Sequence, residues 1–394
     1  MSLGGNGLPH VPTDAVWDSL EANVVVLRDG QWGKPLVVVS LDLLYVGSYL
    51  RDAIVAKLDN ALPQAQLFLA ASHTHRAPMT DPSKPALGEC NLAYVDEVAV
   101  RTAQLIREVL DSSASLVQVS SGSGQLDSGI HRRRRRLATL DASGLHVRPT
   151  IMGPNPAVRF DSAAHRLRFM SGERVVAEIW TTALHPTGFP DPLKVSADFP
   201  GIVRQALRKQ ERSNHAVLFL QGFSGDVRPN SGVVKFGFKR LLLGPIFASF
   251  SSDSYAQWVG DLCRAVLQVP MTQCASLPLA SSRLPVSAGD WLIGAPDPDL
   301  GAIHAIRVGD TVIVGVPGEV TNRYVEYLEP TRPGDRVWGV GCVDHVWGYL
   351  PTRAMLKEGG YEARSFCSAF GVGYVSPAIE ENLGAALLRA GAAV

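Results

Sequence analysis

Two histidines one residue apart, in Ser72-His73-Thr74-His75, close the apolar run Gln66-Leu67-Phe68-Leu69-Ala70-Ala71. Read as a strand, that run alternates its side chains, so His73 and His75 are expected to project to one side at the strand end. The pair can supply two metal ligands, or one ligand and one acid–base group beside the metal. His185 stands in a similar place, closing the apolar stretch Val176 to Leu184, with Pro186 stopping the strand. Asp198, in Ser196-Ala197-Asp198-Phe199-Pro200-Gly201, sits where a helix would start. Its carboxylate could cap that helix or orient a ligand histidine from behind. A further apolar run, Thr311 to Val316, ends in Pro317-Gly318-Glu319. Zinc suits two imidazoles and a carboxylate with an open position better than other metals do.

The elements that must carry these groups follow an α/β pattern of mixed β-sheets with flanking helices, the zinc site lying at strand ends. Asn23 to Leu27 and Leu36 to Leu41 read as a hairpin around Asp29-Gly30, and Val46 to Leu58 as a helix. Tyr94 to Leu110 places Val95, Val98, Val100, Ala103, Ile106 and Leu110 on the apolar side of a helix. Val175 to Trp180 and Ala216 to Leu220 are strand candidates, and Phe199 to Lys209 and Ala256 to Leu267 helix candidates. Ser120-Ser121-Gly122-Ser123-Gly124 reads as a polar break; it lacks the Lys-Ser/Thr that a phosphate loop needs. Phe236 to Phe250 crowds Phe236, Phe238, Leu241, Leu242, Leu243, Ile246, Phe247 and Phe250 into a loop-like stretch. It could act as a lid with weak membrane-surface contact, or be buried.

Composition removes several classes of function. The 394 residues carry 37 Lys plus Arg against 37 Asp plus Glu, so no net charge draws the chain to nucleic acid. The run His131-Arg132-Arg133-Arg134-Arg135-Arg136 has no aromatic between its arginines, and reads as a solvated edge or an anion-binding wall. The five cysteines are scattered and never form C-x-x-C, against a disulfide framework or thiolate zinc. With no spanning apolar segment and no leader pattern, one cytoplasmic domain over 1–394 is expected.

Five motifs in order, Ser72-His73-Thr74-His75, His185 with Ser196-Ala197-Asp198, Gly225-Asp226-Val227-Arg228-Pro229-Asn230, Pro317-Gly318-Glu319 and Gly360-Tyr361-Glu362-Ala363, resemble the neutral (non-lysosomal) ceramidases. The resemblance runs over nearly the whole chain and implies the catalytic domain without a C-terminal immunoglobulin-like domain. It implies one zinc held by His73, His185, Glu319 and Tyr349, and a small-molecule or lipid N-acyl substrate. His75 would be the acid–base group, with Tyr361 and Arg132 at the substrate carbonyl. The register of Arg132 within its arginine run is open by one or two positions. Asp198 and Asp226 would stand behind the ligands.

The chain departs from that pattern at Arg228, where the family has serine. Arginine offers no hydroxyl but can grip a carboxylate or phosphate, which points to a smaller or more anionic N-acyl substrate; the other reading leaves it facing solvent. Phe219-Leu220-Gln221-Gly222-Phe223-Ser224-Gly225-Asp226 also resembles part of a nucleophile elbow, so a serine hydrolase using Ser224 is an alternative, although Asp226 replaces the last glycine. A zinc-binding protein without turnover is the non-enzyme alternative.

Overall fold

Strand runs as apolar as Leu36-Val37-Val38-Val39 need cover on both faces, and they receive it. The computed structural model describes the chain except residues 6–10, 31–32, 60, 137, 142–143, 148, 236–243, 276–277, 295–298 and 331. The strands Ala22–Leu27 and Leu36–Leu41 form the expected hairpin. After the helix Gly47–Leu58, the strand Leu67–Ala71 joins Leu36–Leu41 in parallel. Val37, Val39 and Leu41 pack into one core and Leu36 and Val38 into another, so alternate residues of one strand serve two layers.

A second sheet has five strands in the order Ala216–Gln221, Arg174–Thr182, Ala163–Ser171, Gln118–Gln125 and Met271–Gln273. A third has four, Leu279–Ser287, Asp299–Val308, Thr311–Gly315 and Arg336–Val340. Faces of all three sheets meet in a core containing Val38, Phe68, Leu167, Ile179, Leu218, Ile313 and Trp338. On the outer sides, Gly47–Leu58, Leu92–Asp111 and Ile379–Ala392 cover the first and third sheets, while Asp198–Glu211 and Ser252–Leu267 cover the second. Each such side chain contributes roughly 1.5–3 kcal/mol when fully buried.

Each sheet is mixed and contains one parallel pair: Leu36–Leu41 with Leu67–Ala71, Arg174–Thr182 with Ala216–Gln221, and Thr311–Gly315 with Arg336–Val340. The three pairs are stitched together where these strands end. Bridges join Ala70 to Val343 and Gly222 to Val340, and Gly341 N donates to the Gln221 carbonyl. His73, His185 and Glu319 all follow strands of these pairs.

Residues 120–124 depart from expectation. They lie inside a strand of the second sheet rather than in a break. Glycine at 122 is a packing requirement: a Cβ there would come 2.2 Å from the Pro270 carbonyl oxygen, so the polar composition records close backbone approach. Within the proposed lid, Phe236, Phe238, Leu241, Leu242 and Leu243 lie outside the described residues. Ile246–Phe247 pairs with Val233–Val234, and Phe250 packs on Tyr255 and Trp258.

Candidate metal centre

His73 leaves the strand Leu67–Ala71 in the left-handed region, at φ 66°. Simple strand alternation therefore does not set its direction. Two backbone bonds do, from Ser72 N to the Leu41 carbonyl and from His73 N to the Leu43 carbonyl. The His73 Nδ1 lies 3.1 Å from the Leu44 carbonyl, an acceptor only, which makes Nδ1 the donor and aims Nε2 inward. His185 is held the same way, its Nδ1 donating to the Ser224 carbonyl at 3.3 Å. The two Nε2 atoms stand 3.0 Å apart. Glu319 Oε2 is 3.4 Å from His73 Nε2 and 3.7 Å from His185 Nε2.

These spacings carry a test of metal fit. Three donors about 2.0–2.1 Å from one tetrahedral ion stand roughly 3.3 Å from each other. Glu319 Oε2 is buried with no hydrogen-bond partner among the described residues, while Oε1 accepts from the Tyr45 hydroxyl at 2.5 Å. One carboxylate oxygen is thus tied back and the other points at the two imidazoles. His73, His75 and His185 bring their ligand atoms within 4.8 Å of one another. The residues fit a metal ion.

The electrostatics agree with a cation in this place. Burial opposes ionisation of Glu319, yet His73 and the bonds from His73, Tyr349 and Tyr45 bring it down to about 2. Burial lowers His73, but Cys342 and Glu319 outweigh it and push His73 up. His185 is driven down by burial, by Arg132 and by His73. Beside the Glu319 carboxylate the imidazoles favour a positive charge, such as a metal ion would bring.

Glu319 and Tyr349 are partners on a two-residue parallel ladder, Glu319–Val320 with Tyr349–Leu350. That register brings the Tyr349 phenol to Glu319, and burial followed by the Glu319 charge keeps the phenol neutral. The Tyr349 oxygen also accepts from Arg132 Nη2 at 3.0 Å. Arg132 settles the register of the arginine run: its Nε donates to Glu362 at 2.9 Å, and Arg133 Nη1 donates to the other Glu362 oxygen at 2.7 Å. Arg132 and Arg133 are buried, so the solvated-edge reading fails for them and holds only for Arg135, which is exposed. Tyr361 packs edge-on against Tyr349 at 5.4 Å, its phenol raised to about 12 by burial and then by Glu319.

His75 Nδ1 donates to the Gly5 carbonyl at 3.3 Å. Burial and then the neighbouring His73 pull its pKa to about 3, so the ring is neutral at ordinary pH. Asp198 does not touch the ligand histidines. Its carboxylate takes Phe189 N, Phe199 N and the Tyr255 hydroxyl, and the carbonyls of Leu44 and Ser224 orient the histidines instead. Asp226 braces the wall behind them, binding His131 Nε2 at 3.1 Å and Asn322 N at 2.8 Å. Ser224 is buried; its hydroxyl accepts from Gln221 at 2.6 Å and lies 3.5 Å from His185 Nδ1, a nitrogen committed to the Ser224 carbonyl. That geometry makes Ser224 a brace for His185 rather than an activated nucleophile. Arg228 is half-buried, its guanidinium 4.3 Å over the Phe247 ring. A cavity of about 750 Å³ lined by Arg133, Asp226, Glu358 and Glu380 lies behind His131 and contains none of the four proposed ligands.

Tyr45, Gly5, Ser224 and Glu362 are the partners that sequence reasoning missed or gave another role. Tyr45 follows the end of Leu36–Leu41, so the strand-end logic applied to His73 would also have reached it. A pattern unites these groups. In each parallel pair one strand leads to a ligand and the other to a support: His73 and Tyr45, His185 and Ser224, Glu319 and Cys342.

No protein-family model and no curated protein matches the chain. Among solved structures, neutral ceramidase from Pseudomonas aeruginosa superposes over 100% of this chain and 72% of its own, with a TM-score of 0.72 and 15% identity. A ceramidase in complex with C2 superposes over the same shares with a TM-score of 0.73 and 14% identity. The chain has the neutral ceramidase fold, with three histidines able to hold a metal ion where its parallel strands end.

Proposed function

We propose that this protein is a zinc-dependent amidohydrolase that cleaves the N-acyl amide bond of a ceramide-like lipid or a smaller N-acylated compound. The convergence of His73 Nε2, His185 Nε2 and Glu319 Oε2 within 3.0–3.7 Å carries the reading. His73, His185 and Glu319 would hold the metal, with Tyr349 at the remaining side. When bound, zinc supplies a Lewis acid for the amide carbonyl and lowers the pKa of a water to about 7.

The chain's own groups divide the remaining work. His75 is neutral, with Nδ1–H held by the Gly5 carbonyl, so Nε2 is its basic nitrogen. It takes a proton from the attacking water and gives it to the departing nitrogen, which leaves far more readily as an amine than as an amide anion. Tyr361 keeps its phenolic proton and donates a hydrogen bond to the carbonyl oxygen as negative charge builds there. Arg132 holds the Tyr349 phenol and adds positive charge to the same wall.

Metal analysis of purified protein, paired with a hydrolysis screen over N-acyl amines of varied chain length, tests the proposal. One zinc per chain and chelator-sensitive release of amine are expected. Failure to retain zinc after supplementation, or chelator-resistant hydrolysis abolished by Ser224→Ala, would overturn it.

A further inference from the structure

Several buried or half-buried arginines are each paired with a carboxylate, as Arg228 is not. Arg132 and Arg133 bind Glu362, Arg166 and Arg168 bind Glu178, Arg204 binds Asp42, and Arg307 binds Asp335. Arg228 makes no ion pair with any described residue, and its buried Nε has no hydrogen-bond partner among them. Its guanidinium lies 4.3 Å over the Phe247 ring, which supports one face and leaves the buried Nε without a partner among the described residues. A half-buried cation without a counter-charge is unfavourable, and burial followed by repulsion from Arg132 pulls Arg228 down to about 10.

Its position gives the missing counter-charge a meaning. Arg228 lies on the strand Val227–Pro229, in register with Ile130 of Gly129–His131, two residues before Arg132. The backbone of Arg132 continues this ladder by donating to the Asp226 carbonyl at 2.8 Å, and its side chain reaches the Tyr349 phenol beside Glu319. Two guanidiniums thus share the wall next to the candidate metal centre, one neutralised by Glu362 and one not.

We infer that Arg228 receives a carboxylate of the substrate, so that the preferred N-acyl compound is anionic close to its amide, as an N-acyl amino acid is. The inference rests on the amidase reading for the meaning of the site, but anion recognition is measurable without turnover. A planar guanidinium offers paired donors that match a carboxylate's two oxygens, and Phe247 fixes the plane of the fork. A hydroxyl in place of the carboxylate leaves the cation without a counter-charge.

The test uses ketone isosteres, in which a methylene replaces the amide nitrogen so that nothing is hydrolysed. Isosteres of N-lauroylglycine and of neutral N-lauroylethanolamine are titrated calorimetrically into the zinc-loaded protein. A third carries its carboxylate at the far end of the acyl chain. The expected result is binding about 20-fold tighter for the glycine isostere than for the ethanolamine isostere. Arg228→Met should erase that difference, while Arg228→Lys keeps part of it. Preference for the acyl-end carboxylate, equally lost in Arg228→Met, would support the anion site and assign the charge to the acyl half. Equal binding of all three, or a preference that survives Arg228→Met, would overturn the inference. Arg228-dependent binding without hydrolysis of the parent amides would count against the amidase reading alone.

Discussion

Replacing Glu362 with glutamine would keep the shape of the side chain and remove the carboxylate that Arg132 and Arg133 share. Arg132 Nε and Arg133 Nη1 lie 2.9 and 2.7 Å from its two oxygens, and all three side chains are at most 5% exposed. Breaking a buried pair by neutralising one partner costs about 3–5 kcal/mol, because the other charges stay buried without compensation. Among the described residues Arg133 keeps Glu358 at 3.5 Å and the Gly359 carbonyl, while Arg132 keeps the Tyr349 phenol at 3.0 Å. For 394 residues, an unfolding entropy of about 2.1 cal/mol/K per residue gives roughly 0.8 kcal/mol per kelvin. Glu362→Gln should therefore lower Tm by about 4–6 °C in calorimetry of the zinc-loaded protein. A second change, Arg133→Gln, removes one uncompensated cation and should raise Tm above that of the single variant. Turnover should stay low in both variants, since Arg132 no longer has the anchor that aims it at Tyr349. A Tm within about 1 °C of wild type for Glu362→Gln, or a double variant less stable than the single, would refute the shared-charge argument.

His73→Ala should abolish zinc retention, whereas His75→Ala should keep the metal and lose at least about 100-fold in turnover; equal zinc loss by elemental analysis would contradict the assigned roles. Gly5 has φ 76°, and a Cβ there would come 2.3 Å from His75 Nδ1. Gly5→Ala should therefore displace His75 and cut kcat by about 10-fold or more with zinc content unchanged; wild-type kcat would contradict the close approach. His304 is lowered to about 3 by burial and then by the Arg283 charge, and its Nε2 donates to the Ala65 carbonyl. Folded His304 stays neutral while the unfolded chain protonates near 6.5, so its stabilisation is complete above that pH and declines toward 3. Between pH 7 and pH 5 wild type should lose about 2 kcal/mol more than His304→Gln in urea unfolding, and parallel slopes would refute this.

Much of the fold was legible because its strands are buried on both faces. Runs such as Leu36 to Leu41 and Ala216 to Leu220 leave no polar side, so strand and burial follow from composition. The candidate ligands were legible because His73, His185 and Glu319 each interrupt such a run at its end. The supports were hidden for definite reasons. Leu44 and Ser224 act through carbonyl oxygens, which no side-chain pattern records. Gly5 matters through a close approach from 70 residues away. The serines and glycines of 120–124 concealed a strand because Gly122 answers to the Pro270 carbonyl rather than to an apolar face. Of the two readings for Asp198 the helix-start one agrees with its bond from Phe199 N, while its contact with Tyr255 of another helix lay outside the local pattern.

The stitching of three parallel pairs at their ends also fixes when a metal could be held. His73 and His185 are 112 residues apart, and Tyr45 reaches Glu319 across 274. His73 and His75 are near neighbours in sequence, but His185 and Glu319 come from distant segments, so a complete site cannot assemble in an unfolded or half-folded chain. Full affinity would arise only once the separate sheets have docked, and a bound ion would then work as a late clasp on their junction. Metal retention would accordingly report the arrival of the last sheet, and stripping the metal would loosen the seam between sheets before it loosened any sheet itself.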